Sequence, residues 1–165
     1  MTSAAKRRLW PLIAAVVVLD QVTKHWALNR LSGGRTIDIV GSLRLNLAFN
    51  SGMAFSQATG AGPVIGAVAF VVVIVVVLWM RRSAQSMALV ASALIVAGAC
   101  GNLVDRVFRG DGWLRGAVVD FVDLQWWPVF NLADSAITIG AVLMLISAMR
   151  NKTSSHGAEA PATHG

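Results

Sequence analysis

Charge is scarce in this chain. Only 13% of its 165 residues are Asp, Glu, Lys or Arg, while 56% are hydrophobic. A soluble domain is about one-quarter charged, so this chain has too little polar surface to cover itself in water. Lipid is the solvent that relieves the shortage. Cysteine is limited to Cys100, inside an apolar segment, which excludes an internal disulfide and a paired-thiol redox centre. Of the three histidines only His25 lies outside the C-terminal tail, and His156 and His164 are given no role. There is no HExxH and no GxSxG, so zinc-peptidase and serine-hydrolase chemistry lack their parts, and no pair of intramembrane histidines is present to hold a haem. No cofactor or metal is expected. The net charge is +6, yet the basic residues form no helical stripe and no nucleic-acid motif occurs. That balance suits loops facing anionic lipid, with no nucleic-acid partner.

What is present is greasy and segmented. A bilayer crossing takes about 20 apolar residues, and four stretches meet that length: 9–28, 63–80, 87–104 and 131–149. The first follows Lys6, Arg7 and Arg8 and so imitates a secretory signal. No small-x-small cleavage site follows it, and it is read as a retained span. Trp10, Trp26, Trp79, Trp113, Trp126 and Trp127 all fall near span ends or in loops, where amphipathic rings prefer to sit. Four spans put both termini on one side. Lys and Arg divide evenly between the two sides, so the positive-inside rule does not choose cleanly. The basic flank of the first span and the short Arg81–Arg82 loop favour cytoplasmic termini. The expected architecture is an all-α membrane protein, a four-helix transmembrane bundle forming one domain over 1–150. A polar tail over 151–165 is expected to be disordered.

Between the first two spans the period changes. Leu43, Leu45, Leu47 and Phe49 alternate with Arg44, Asn46 and Ala48, which predicts a half-buried strand. The stretch "TIDIV" before Gly41 is its antiparallel partner, and "NSG" at 50–52 reads as a turn. A small sheet between helices one and two, resting on the lipid surface, is expected. In the third span Ala93, Ala97 and Gly101 recur at fourfold spacing, which lets helices approach closely.

Several polar groups then need a reason, because charge inside a membrane is costly and usually faces protein or water. Asp20 and Lys24 share a helix face and form a self-neutralising pair. Asn102 and Arg106 form a second i, i+4 pair beside Asp105; Arg106 suits an interfacial anchor, and Asn102 serves either structure or substrate. Asn131 and Asp134 open the fourth span, which fits helix capping. Capping leaves Asp120 unexplained. Asp120 and Asp123 lie in "VVDFVDL"; on a strand they face opposite ways, one toward solvent and one toward a site. Two carboxylates in a dry site cannot both ionise easily. One keeps a proton and the other acts as base, a pair able to activate water against an amide without metal or nucleophile. The competing reading from another class is a small proton-coupled carrier using intramembrane acids as a relay. A non-catalytic assembly factor is a third, and it would tolerate loss of every aspartate.

Five blocks in order, "LDQVTK" at 19–24, "NLAFNSGMAFS" at 46–56, "GNLVDR" at 101–106, "VVDF" at 118–121 and "FNLADS" at 130–135, resemble the bacterial lipoprotein signal peptidases, the signal peptidase II family. The resemblance implies a multi-pass inner-membrane aspartyl endopeptidase with cytoplasmic termini and an active site toward the extracytoplasmic face. Its substrate would be a prolipoprotein cut just before a diacylglyceryl-bearing cysteine, at a membrane surface cradled by the sheet. Asp120 and Asp134 would be the catalytic pair. Asn50, Asn102, Arg106 and Asn131 would order the site and hold peptide backbone, and Asp20 and Lys24 would support it. A monomer suffices, with membrane lipid as its other partner.

Overall fold

In chain order the elements are α1 (Leu9–Leu31), β1 (Thr36–Val40), β2 (Leu43–Asn50), α2 (Gly62–Arg82), α3 (Ser86–Phe108), β3 (Val118–Asp123) and α4 (Leu132–His156). They come from a computed structural model that describes residues 7–52 and 62–156. The end of the "NLAFNSGMAFS" block and the tail from residue 157 fall outside the described residues. Among those described, three helices are long and apolar enough to cross a membrane: Gly62–Arg82, Ser86–Phe108 and Leu132–Asn151. α1 is as long as α3 but is interrupted by Asp20, Gln21 and Lys24. The helices overrun the expected apolar stretches, α1 and α3 by about one turn. α4 continues to His156, six residues into the stretch expected to be disordered. Helical hydrogen bonding does not stop where hydrophobicity stops, so composition sets where a helix is apolar rather than where it ends.

α3 is the central element and packs against α1, α2 and α4. Its small residues make this possible: Ala93, Ala97 and Gly101 are all buried. At Gly98 the approach of α4 is tightest, for a Cβ there would strike the carbonyl oxygen of Ala133 and lie 2.7 Å from Ile137 Cγ1. Backbone cannot move aside as a flexible side chain can. Gly98→Ala is therefore expected to cost about 1–3 kcal/mol through overpacking, read as a lower Tm in detergent; an unchanged Tm would contradict this packing. An apolar cluster of Leu9, Ile13, Met80, Leu89 and Val96 ties α1, α2 and α3 together at the opposite end from the sheet. α2 lies outermost, and most of its valine-rich surface is exposed.

The sheet differs from the expected two-stranded one. It has three antiparallel strands in the order β1-β2-β3, and the third comes from between α3 and α4. Pairing sets Ala48 opposite Asp120 and Arg44 opposite Asp123. A cluster of Ala27, Leu31 and Phe121, joined by Leu45 and Leu47, seats the sheet on the end of α1. The inward use of Leu45 and Leu47 follows the alternation in the sequence, while Phe49 at the strand end is exposed.

Candidate active site

Asp120 and Asp134 are brought together by a fold-back after β3. The Val122 amide donates to the Phe130 carbonyl at 2.8 Å, and the Phe130 amide returns a bond to Val122 at 3.0 Å. The intervening loop is pinned at Asp123. Its carboxylate pairs with Arg44 at 2.7 Å and accepts the Gln125 amide at 2.7 Å. Gln125 adopts φ 67°, a left-handed conformation unusual for a side chain of its kind. Its own side chain secures it by donating to the Ser42 carbonyl at 2.9 Å. Asp123 thus faces the partner strand, and Asp120, three residues earlier, serves the other surface.

Asn131 is the hinge of the site. It caps α4: its Oδ1 accepts the Asp134 amide at 2.9 Å, and Asp134 Oδ2 accepts the Asn131 amide at 3.2 Å. This reciprocal arrangement satisfies helix N-terminal donors that otherwise lack partners. Because Oδ1 must meet an N–H, Nδ2 faces the other way and donates to Asp120 Oδ1 at 2.6 Å. Capping and the carboxylate pair are therefore one device, and a single asparagine holds both acids. Asn102 supplies the second link. It donates from Nδ2 to Asp134 Oδ1 at 2.8 Å. Its Oδ1 accepts from Lys24 Nζ at 2.9 Å and from Asn131 Nδ2 at 3.1 Å. Lysine has only donors, so Lys24 dictates which way the Asn102 amide points.

Asn50 also hydrogen-bonds Asp120, and it accepts the Gly52 amide at 3.0 Å, which makes the expected turn. Arg106 donates to the Asn102 carbonyl at 3.2 Å, and the charges of Asp134, Asp105 and Asp120 lie within its electrostatic reach. Its Nε–H is buried with no hydrogen-bond partner among the described residues. Burial first, then the neighbouring Asp134 carboxylate, push Asp120 up to about 7, against the lowering hydrogen bonds from Asn131 and Asn50. One acid of the pair can therefore hold a proton at neutral pH.

Beneath this site lies a buried ionic cluster larger than the expected Asp20–Lys24 pair. Lys24 Nζ reaches Asp20 Oδ2 and Asp105 Oδ2, each at 2.8 Å, and all three side chains are 0% exposed. With Asn102 these use all three ammonium donors. Asp105 also accepts from Arg109 at 2.7 Å and from the Val119 amide at 3.1 Å, tying α3 to β3 beside Asp120. Asp20 Oδ1 accepts the Ala133 amide at 3.0 Å, so it supplies a carboxylate to the start of α4. At Gly101 a Cβ would come within 2.6 Å of Asp20 Oδ2, which explains glycine there. Gln21 joins in, donating to Asp20, Gly101 and Asp105. Sequence reasoning noted Asp105 without a role and passed over Gln21. The spacing of Asp105 and Arg109, four apart at the end of an apolar span, was the available signal.

A profile of the Signal peptidase (SPase) II family matches residues 12–150. Lipoprotein signal peptidases of Mycobacterium leprae and Mycolicibacterium smegmatis are 44% and 46% identical over 142 and 144 residues. Those matches cover 85% of this chain, and 70% and 61% of the two relatives. Two solved bacterial membrane enzyme structures, both obtained by the in meso method, share the fold. One has a TM-score of 0.79 at 29% identity over 94% of each chain. The other has a TM-score of 0.74 at 30% identity, covering 86% of this chain and 92% of that one. All five sequence blocks lie within the matched span, and Asp20, Lys24, Asn50, Asn102, Asp120, Asn131 and Asp134 from them meet in one connected network at the sheet end of an apolar bundle: this chain belongs to the signal peptidase II family.

Proposed function

We propose that this protein is an aspartic endopeptidase of the bacterial inner membrane that removes the signal peptide from diacylglyceryl prolipoproteins, cutting just before the lipidated cysteine. The observation that carries the reading is Asn131, whose side chain donates to Asp120 while its backbone amide donates to Asp134. Asp120 holds the shared proton. Asp134 takes a proton from water as that water attacks the scissile carbonyl, and Asp120 protonates the tetrahedral centre. The unpartnered Nε–H of Arg106 is a donor for a substrate carbonyl. Asn102 and Asn131 act chiefly by orienting the acids, since Asn131 Oδ1 and Asn102 Oδ1 are already engaged.

The membrane arrangement follows from the same residues. α1 is the fourth span: 23 helical residues extend about 35 Å, enough for a hydrocarbon core of about 30 Å. Its charges are neutralised inside the bundle, while Val18, Leu19 and Val22 face outward. One domain over 1–150 then holds both termini in the cytoplasm and the sheet outside, and a monomer contains the whole site. A soluble protease would have to draw the substrate's lipid into water, at about 0.8 kcal/mol per CH₂. A site at the outer interface leaves the lipid in the membrane.

The test is release of signal peptide from purified diacylglyceryl prolipoprotein, followed by mass spectrometry across pH. With Asp120 as the acid, kcat/KM is present at mildly acidic pH and declines as pH rises through about 7. A profile flat through neutrality removes Asp120 from that role, and absence of cleavage removes the peptidase reading.

A further inference from the structure

Against Asp134 lies an apolar cavity of about 490 Å³. Its wall runs from Phe130 and the paired Trp126 and Trp127 to Thr138 and Ile139 of α4. The volume falls within the range of small-ligand sites. Asp134 and Thr138 are one helical turn apart, so the cavity starts at a catalytic carboxylate and follows α4 away from the sheet. Thr138 and Ile139 are exposed on the outer face of α4, and the cavity therefore opens sideways where lipid would lie. The two tryptophans, edge-on at 6.3 Å, form its upper rim at the level where indoles favour the membrane interface.

The lining decides between candidate occupants. An extended peptide needs a hydrogen-bond partner for nearly every backbone group in a dry site. Asn50, Asn102 and Arg106 do not line this cavity; on its wall the Ser135 hydroxyl is committed to the Asn131 carbonyl at 3.1 Å and Asp134 to Asn102 and the Asn131 amide, and the Thr138 hydroxyl and two indole N–H groups are too few for an extended backbone. A hydrocarbon chain needs no such partners. We propose that this cavity seats an acyl chain of the substrate's diacylglyceryl group, entering laterally along α4 so that the modified cysteine is drawn up to Asp134. The inference rests on the peptidase reading above. It places the lipid in the tryptophan-rimmed groove of α4 rather than on the exposed valine face of α2.

Two measurements test it. In the first, prolipoprotein carrying a diazirine at the end of an acyl chain is bound to the Asp134→Asn variant and irradiated. Label is expected in residues 124–139. Label concentrated in α2 overturns the proposal. So does equal labelling of 124–139 by a diazirine phospholipid that prolipoprotein does not displace, since that marks a bulk-lipid site. In the second, palmitoyl and octanoyl substrates are compared. Thr138→Trp, exposed and thus no threat to folding, is expected to lower the palmitoyl-to-octanoyl ratio of kcat/KM about tenfold by filling the groove. Val71→Trp on the exposed face of α2 leaves that ratio as it is. A fall at Val71→Trp instead, or an unchanged ratio at Thr138→Trp, overturns the acyl site. Failure of the parental enzyme to cleave speaks against the peptidase reading, whereas the position of the label decides the acyl site independently.

Discussion

Asp120→Asn and Asp134→Asn, each made alone, are expected to lower kcat/KM for diacylglyceryl prolipoprotein by about 10²–10⁴-fold, the range for loss of a positioned proton donor or acceptor. Asparagine keeps the size of the side chain and one oxygen to accept from Asn131 Nδ2 or Asn102 Nδ2, while at position 134 its NH₂ replaces the oxygen that accepts the Asn131 amide, so one capping bond is lost there. What disappears is the capacity to exchange a proton. At position 120 the group pushed up to about 7 is lost, and with it the proton that the proposed mechanism gives to the tetrahedral centre. At position 134 the base of the proposed mechanism is lost. Asp120→Asn should retain a Tm near that of the parent, and Asp134→Asn should lose about 1 kcal/mol with its capping bond, far less than unfolding, which separates chemistry from folding. If either still releases signal peptide at close to the parental rate, the two-carboxylate mechanism is wrong.

Lys24→Met is expected to act on the fold itself, at a cost of about 3–5 kcal/mol, because it leaves buried carboxylates without their shared cation. Lys24 meets Asp20 and Asp105 at 2.8 Å each, in a place with no access to water. Arg109 still reaches Asp105 at 2.7 Å, so Asp20 bears most of the loss. The double variant Lys24→Met with Asp20→Asn removes the stranded charge and should recover part of the Tm. Activity should recover less, because Lys24 also sets the direction of the Asn102 amide that donates to Asp134. A single Lys24→Met variant as stable as the parent would show that the cluster is not what joins α1 to α3.

The two effects separate layers that touch through one residue. Asn102 lies between them, accepting from the ionic cluster on one atom and donating to Asp134 with the other. The lower layer is internally compensated: two carboxylates, Lys24 and Arg109 sum to zero formal charge. The upper layer sets two carboxylates, Asp120 and Asp134, against the single cation Arg106, and one proton held at Asp120 makes up the difference.

Much of this was legible along the chain. Apolar runs, the period-2 alternation over 43–49 and the small-residue stripe on α3 are local properties, and they determined four helices, the first sheet strands and the close packing at Ala93, Ala97 and Gly101. Scarcity of charge made each remaining acid conspicuous, so Asp20, Asp120 and Asp134 stood out against their surroundings. Asn131 and Asp134 were readable as a cap because capping acts over three residues. Only the tertiary structure decided the rest. β3 joins the sheet from between α3 and α4, and the loop from Asp123 to Phe130 turns back through a left-handed Gln125. Asp105 receives Lys24 from 81 positions away. Hydrophobic patterning records which residues avoid water, but it carries no information on which distant polar partner a buried acid will meet. That choice depends on how the helices and the sheet pack, since a buried charge is tolerated only where the fold has already placed its complement.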